Sequence, residues 1–403
     1  MRAGDRRHRG DLSYREIHDL GELRAARSLD RCALQGLDLR EAAVEWPALG
    51  VTPRTFLLGC RLAPADETEL RRLGAVVFPC LPELPYDPWR ATPYASADLM
   101  AGYDGRDFEG SALDQRIYRS YLETRRTRSV VDQLAERLHD HSLADALDDF
   151  LEKAKAAFPR GIVGIMGGHQ SPRGSGGFGD VARLAHRLAG RGFLVATGGG
   201  PGAMEAANLG ALLGPWPKDT LEEALALLAR DPLAGPPVPA GYLGRAQDVL
   251  RRFAPGQASE WGFRPGPEPG AGGAGWSLAI PTWTYGHEPS NLFSSHVAKL
   301  FQNSVREEGL VTLATAGLVF APGKAGTCQE AFTDAVQNYY AASPAEVLPM
   351  AFFPRDYWTE TVPVVPCLQK LGAAGGKAFA RRVGAFDGID EIVAFLENPP
   401  RLD

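Results

Sequence analysis

The sequence predicts an α/β protein. A mostly parallel sheet carries helices on both faces, and a smaller N-terminal α/β domain precedes it. Three observations predict this. From residue 161 onward, short apolar runs alternate with stretches of helical periodicity, the rhythm of strands joined by helical crossovers. Two glycine-rich turns each follow an apolar run and lead into a helix. They read Thr197-Gly198-Gly199-Gly200-Pro201-Gly202-Ala203-Met204-Glu205 and Pro322-Gly323-Lys324-Ala325-Gly326-Thr327-Cys328-Gln329-Glu330. Finally, residues 1–150 differ in texture and include a run with Pro82, Pro85, Pro88 and Pro93, which reads as an extended surface crossing.

Within 1–150, residues 55–62 and 74–80 read as buried strands, with a helix over 65–73 between them. Residues 33–40 alternate apolar and polar positions in a single copy, too little for a repeat architecture. Residues 118–158 read as mostly helical, with Leu122, Val130, Leu134, Leu138 and Leu147 as apolar markers, and link into the second domain, 151–403.

There the pattern predicts a strand over 162–166 and a helix over 180–188 with Val181, Leu184, Ala185 and Leu188 on one face. A second strand follows over 193–196 and a second helix over 202–213. An insertion spans about 214–276. It holds a helix opened by the Thr220–Glu223 capping pattern and a mobile Gly/Pro run at 265–275. The rhythm resumes with a strand (277–281), a helix (292–308), a strand (318–321), a helix (327–340), a strand (348–353) and a last helix (389–397). Ligands in such sheets sit beyond the strand C-termini, where both glycine turns fall.

Bulk properties narrow the function. The 403 residues carry a net charge of −6, from 43 Lys+Arg against 49 Asp+Glu, which argues against a general nucleic-acid binder. No apolar run approaches a bilayer-spanning length, and no membrane partner is expected. Arg2, Arg6, Arg7 and Arg9 make a basic, frayed start rather than a secretory signal. The five scattered cysteines form no metal-spaced pair, so neither a metal nor a cofactor is expected and a reducing cytoplasm is the simplest location.

A glycine turn before a helix aims backbone N–H groups and a positive dipole end at its occupant, and phosphate fits that geometry. Gly198, Gly199, Gly200 and Gly202 in one turn, and Gly323, Lys324, Ala325, Gly326 and Thr327 in the other, are the expected phosphate contacts. Glu205 either complements the helix dipole or works beside the phosphate. The loop after the first strand begins Gly167-Gly168-His169 and contains a formal GxGxxG at 174–179. That match lies too far past its strand for a nicotinamide cofactor, and the second strand ends in Thr197-Gly198 without the ribose-binding acid. The loop instead suits a mononucleotide. Arg173 in it is either an exposed loop arginine or a mobile phosphate contact.

After the third strand, Trp283 and Tyr285 can stack on a base or simply pack, and His287 is an acid/base candidate. On the expected 292–308 helix, His296, Lys299, Asn303 and Arg306 form a polar stripe, with Arg306 placed to grip phosphate. Thr327-Cys328-Gln329-Glu330 matches a capping box, so Glu330 either caps its own helix or points its carboxylate into the cleft.

The paired motifs, Gly198–Met204 and Pro322–Glu330, resemble those of the LOG (LONELY GUY) family, once labelled "possible lysine decarboxylase". The resemblance covers about residues 160–355. Lys324 stands where the family's PGG has its second glycine. The resemblance implies a Rossmann-like fold, usually a homodimer, and hydrolysis of the N-glycosidic bond of nucleoside 5′-monophosphates to free base and ribose 5-phosphate. It implies a catalytic Glu330 with an arginine partner, placed at Arg306. Two other readings stand beside it. One is a non-catalytic nucleotide-binding sensor. The other takes the old label literally, as a decarboxylase with pyridoxal phosphate on Lys324, although a glycine turn shields a Schiff base poorly.

Overall fold

A computed structural model describes residues 14–402 apart from 82, 234, 236, 271 and 272. The basic start with Arg2, Arg6, Arg7 and Arg9, Pro82 of the proline run, and Ala271 and Gly272 of the 265–275 run lie outside the described residues. The chain divides into two compact units, Met1–Pro93 with Leu122–Phe150, and Tyr94–Tyr121 with Leu151–Asp403.

The first unit is a four-stranded parallel sheet. Its elements are β1 (Arg15–Ile17), α1 (Leu20–Ala25), β2 (Cys32–Gln35), β3 (Thr55–Leu58), α2 (Pro64–Arg72) and β4 (Val76–Phe78), with strand order β1-β2-β3-β4. Pro64 opens α2, Asp66 and Glu67 occupy its first turn and Arg71 and Arg72 its last, matching the helix dipole at both ends. Leu34, Leu57, Leu70 and Trp46 fill the core. Helices α3 (Ser96–Leu99), α4 (Phe108–Ser111) and the first part of α5 (Leu113–Thr127) belong to the second unit, and the end of α5 and most of α6 (Val130–Ala154) to the first. The helical stretch expected over 118–158 is thus two helices, broken where Arg128 takes a φ of 54°. Leu147 is buried, but Leu122, Val130 and Leu134 are exposed.

The second unit is the Rossmann-like layer. In chain order it contains β5 (Ile162–Met166), α7 (Gly176–Gly190), β6 (Leu194–Thr197), α8 (Ala203–Leu212), α9 (Lys218–Leu228), α10 (Ala240–Phe253), β7 (Ser277–Ala279) and β8 (His296–Val297). It continues with α11 (Asn303–Leu313), β9 (Gly317–Phe320), α12 (Ala325–Tyr339), β10 (Met350–Phe352), α13 (Val364–Ala374), β11 (Val383–Ala385) and α14 (Ile389–Glu397). The seven strands run parallel in the order β11-β10-β9-β5-β6-β7-β8. Strands β5, β6 and β9 are apolar nearly throughout, as a sheet covered on both faces requires. Val181, Leu184, Ala185 and Leu188 of α7 are all buried, and α7 packs on α8 and α14. Helices α11, α12 and α13 pack together as a separate layer. Helices α10 and α13 and strand β11 are additional to the predicted elements.

One predicted element is corrected. Residues 292–308 are not a helix. Leu292 and Phe293 form a turn, Ser294 and Ser295 lead from it into β8 without helix, and only Asn303 onward is helical. Tertiary pairing overrides the periodicity. Ser295 Oγ donates to the Ser277 carbonyl (2.6 Å), and Val297 and Tyr94 exchange both backbone hydrogen bonds (2.7 and 2.9 Å). The expected polar stripe therefore dissolves. His296 is a half-buried edge-strand residue whose imidazole desolvation pushes down to about 3.

The described end of the 265–275 run is packed. Ala274 is buried, and the Gly275 N–H donates to the Leu212 carbonyl (2.7 Å). Among the described residues no helix is long and apolar enough to cross a membrane.

Candidate functional site

Strand order reverses between β5 and β9. The chain steps one way through β6, β7 and β8, then returns to the far side of β5 for β9, β10 and β11. Loops leaving the two strands diverge at such a point and leave a crevice beyond their C-terminal ends. A cleft of about 720 Å³ lies there, within the range of small-molecule sites. The loop after β5, both glycine turns, the loop after β7 and the start of α12 all contribute to it.

The glycine turn after β6 is a surface for close approach. Gly198 and Gly200 line the cleft. Gly199 and Gly202 do not. They take φ values of 76° and 70°, which side chains rarely adopt. A Cβ on Gly202 would stand 2.6 Å from the Gly168 carbonyl oxygen, so only glycine lets the turn meet the loop after β5. The Ala203 N–H already donates to the Gly168 carbonyl (3.1 Å), so the α8 start is partly used within the protein.

Glu205, expected near phosphate, is corrected. It is buried away from the cleft, and so is Arg173. Arg173 clamps it through two nitrogens, one at 2.9 Å, and Tyr242 Oη donates to the same carboxylate at 2.6 Å. Arg173 also donates to the Tyr242 carbonyl (2.7 Å) and lies over its ring. Burial and the Glu205 charge hold the Tyr242 phenol well above its usual range, which keeps it a donor. This buried triad ties the loop after β5 and the first turn of α8 to α10 of the insertion. The alternation of buried and exposed neighbours that would reveal it in sequence is absent, because α8 is buried on nearly every side.

The second turn holds the charged centre. Lys324 is the N-cap of α12, with a φ of −99°, outside the left-handed region that favours glycine. Its ammonium donates to Gln170 Oε1 (2.8 Å). The first three N–H groups of a helix have no partner within it. In α12 these belong to Ala325, Gly326 and Thr327, all on the cleft wall. No side chain caps this helix, so the capping-box reading of Glu330 is corrected. Glu330 Oε1 instead accepts from Arg306 Nη1 at 3.3 Å, with both side chains about nine-tenths buried. Arg306 is fixed from behind by its Nε donating to the Ile280 carbonyl (2.9 Å). Burial holds the Glu330 carboxyl above the ordinary glutamate range and Glu307 adds to that, while Arg306 pulls the other way.

The loop after β7 splits the aromatic pair. Tyr285 is exposed on the cleft wall. Trp283, expected to stack on a base, is corrected: it is fully buried, and its Nε1 donates to Asp114 Oδ1 (3.1 Å). Lys299, seated in the buried core, donates to the same oxygen at 2.6 Å and to Ser290 Oγ at 3.1 Å. Trp283 therefore packs within this buried pair's network, where its N–H has a partner.

Of the expected contacts, Gly167, Gly168, Gly198, Gly200, Tyr285, Arg306, Gly323, Lys324, Ala325, Gly326, Thr327 and Glu330 share the cleft, and Gly199, Gly202, Glu205 and Trp283 do not. Gln170, Glu288 and Lys299 line the cleft as well; Lys299 belongs to the expected polar stripe, and none of the three is an expected ligand contact. Glu288 Oε1 lies 3.7 Å from His169 Nδ1, and both line the cleft. The run from Tyr285 to Pro289 was the available signal, since polar and aromatic residues directly after a strand in this fold face the ligand side.

No family model and no curated protein matches the chain. A solved structure it resembles is the molybdenum cofactor binding protein from the phototrophic bacterium Rippkaea orientalis. The two are 12% identical, the match covers 59% of this chain and 95% of that one, and the TM-score is 0.33. At that distance no property of that protein carries over to this one.

Proposed function

We propose that this protein hydrolyses the N-glycosidic bond of a nucleoside 5′-monophosphate, giving free base and ribose 5-phosphate, in the manner of the LOG family its motifs resemble. The observation that carries the reading is the Glu330–Arg306 pair set beside the unpartnered amides of α12. Phosphate binds those amides with Lys324 as counter-charge. The base extends toward Tyr285 across the sheet. Glu330 faces the anomeric carbon, stabilises the oxocarbenium-like charge that develops there and receives a proton from the attacking water, as carboxylates do in glycoside hydrolysis. The test is incubation with AMP, GMP, CMP and UMP, followed by chromatography for free base and ribose 5-phosphate. Thermal stabilisation by a nucleotide without base release replaces this reading with that of a sensor, which the exposed Lys324 at the phosphate end also serves.

The raised Glu330 sets the pH dependence. The working form is the anion, so kcat/KM falls as pH drops through a value above the ordinary glutamate range. Stability moves the other way. The folded state holds this proton more tightly than the unfolded one, so the Glu330 contribution to stability declines as pH rises through the same window. Arg306→Ala removes the opposing charge and moves the acid limb to higher pH. An unmoved limb in a kcat/KM–pH profile assigns it to another group.

A further inference from the structure

Breaking an N-glycosidic bond makes two demands. Positive charge on the sugar must be stabilised, and the departing base must not leave as a bare anion. Glu330 and Arg306 meet the first. Resting on the nucleosidase reading, we propose that His169, oriented by Glu288, is the general acid that protonates the departing base.

The topology sets the polarity of the cleft. The loop after β5 runs from the middle of the sheet, between β9 on one side and β6 and β7 on the other. Its consecutive residues reach in both directions. Gln170 accepts from Lys324 at the start of α12, after β9. His169 turns Nδ1 toward Glu288, in the loop after β7. The phosphate end is therefore at α12 and the base end at the Tyr285–Glu288 segment. The turn after β6 lies between the two charged pairs. A Cβ on Gly198 would meet the Arg306 guanidinium at 2.2 Å, and one on Gly200 would stand 3.6 Å from Glu288 Oε2. A sugar over this turn has Glu330 with Arg306 toward one end and Glu288 with His169 toward the other. A carboxylate at the base end is unsuited to phosphate, but it suits an imidazole that must present a defined nitrogen. With Nδ1–H directed at Glu288, the doubly protonated ring presents Nε2–H to the cleft, and it is this proton that the ring donates. Of the two histidines on the cleft wall, His169 and His287, His169 is the one with a carboxylate at its ring among the described residues.

The step balances. The C1′–N bond breaks and its electron pair passes to the base nitrogen system, which takes the His169 Nε2 proton. The oxygen of water bonds to C1′ and its proton passes to Glu330. Solvent then returns a proton to His169 and removes one from Glu330, leaving free base and ribose 5-phosphate.

The test compares two leaving groups in the full-length protein. One substrate is the natural nucleotide with the fastest base release. The other is 4-nitrophenyl β-D-ribofuranoside 5-phosphate, whose nitrophenolate departs without a proton. His169→Gln and Glu288→Gln are expected to slow the nucleotide by about 10²-fold or more, the span of general acid catalysis, and to slow the nitrophenyl compound far less. Glu330→Gln slows both. His169 is half exposed, so its replacement spares the fold, and circular dichroism checks this. Equal losses on both substrates with His169→Gln, or no loss on either, overturn the assignment of His169 while leaving the nucleosidase reading intact. Failure of the unmodified protein to release base from any nucleotide overturns that reading, and this assignment with it.

Discussion

Glu330→Gln is expected to lower base release by about 10²–10⁴-fold, equivalent to about 3–5 kcal/mol of transition-state stabilisation, while nucleotide binding persists. The structure explains why the two separate. Glu330 is largely buried and held above the ordinary glutamate range, so glutamine closely copies the neutral form that burial favours. Arg306 keeps its anchor on the Ile280 carbonyl, and the amides of Ala325, Gly326 and Thr327 belong to the backbone. The phosphate site therefore survives and only the negative charge is lost. Single-turnover assays with the fastest nucleotide, beside thermal shift with the same ligand, read the two effects. Base release at the unmodified rate removes Glu330 from the mechanism. Loss of both binding and turnover moves it into the binding site.

The largest stability effect is expected at Glu205. Glu205→Ala leaves the Arg173 guanidinium buried without its carboxylate, and breaking such a pair from one side costs about 3–5 kcal/mol. Arg173→Ala is expected to cost a similar amount. Tyr242→Phe is milder, because it removes one hydrogen bond to a charged group, about 1.5–3 kcal/mol, and leaves the ion pair in place. The sharper expectation concerns the pair. Replacing Arg173 and Glu205 together by methionine and leucine is expected to cost less than either single truncation, because no uncompensated charge remains. Denaturant midpoints for the singles and the double measure this. Additive losses would show that the triad acts by packing alone. The same triad ties the insertion to the loop after β5 and to the first turn of α8 behind the glycine turn, so Glu205→Ala is also expected to raise KM for nucleotide.

Much of the framework could be read along the chain. Val181, Leu184, Ala185 and Leu188 share one helical face and are all buried. The strands at 162–166 and 348–353 and the final helix are found within a few residues of their predicted ends. The failures share a cause. Residues 292–308 carried helical spacing, but Ser295 and Val297 found partners in Ser277 and Tyr94, far away in sequence. Trp283 and Tyr285, two residues apart, were equal candidates for stacking. Asp114, distant in the chain, drew Trp283 inward and left Tyr285 on the cleft wall.

Sequence alone determined the alternation of strands and helices, the two glycine turns, and the placing of Glu205 and Glu330 in the opening turns of the helices that follow them. Those features rest on local rules: periodicity of apolar positions, the φ freedom of glycine and the open amides at a helix start. Only the tertiary structure decided which charged groups face the cleft. Glu205 and Glu330 each sit in the opening turns of a helix that follows a glycine turn, yet one is locked behind the wall by Arg173 and Tyr242 and the other lies in the cleft against Arg306. A carboxylate's role depends on which cation the fold brings to it, and Arg173, Tyr242 and Arg306 arrive from segments whose distance along the chain carries no local signal.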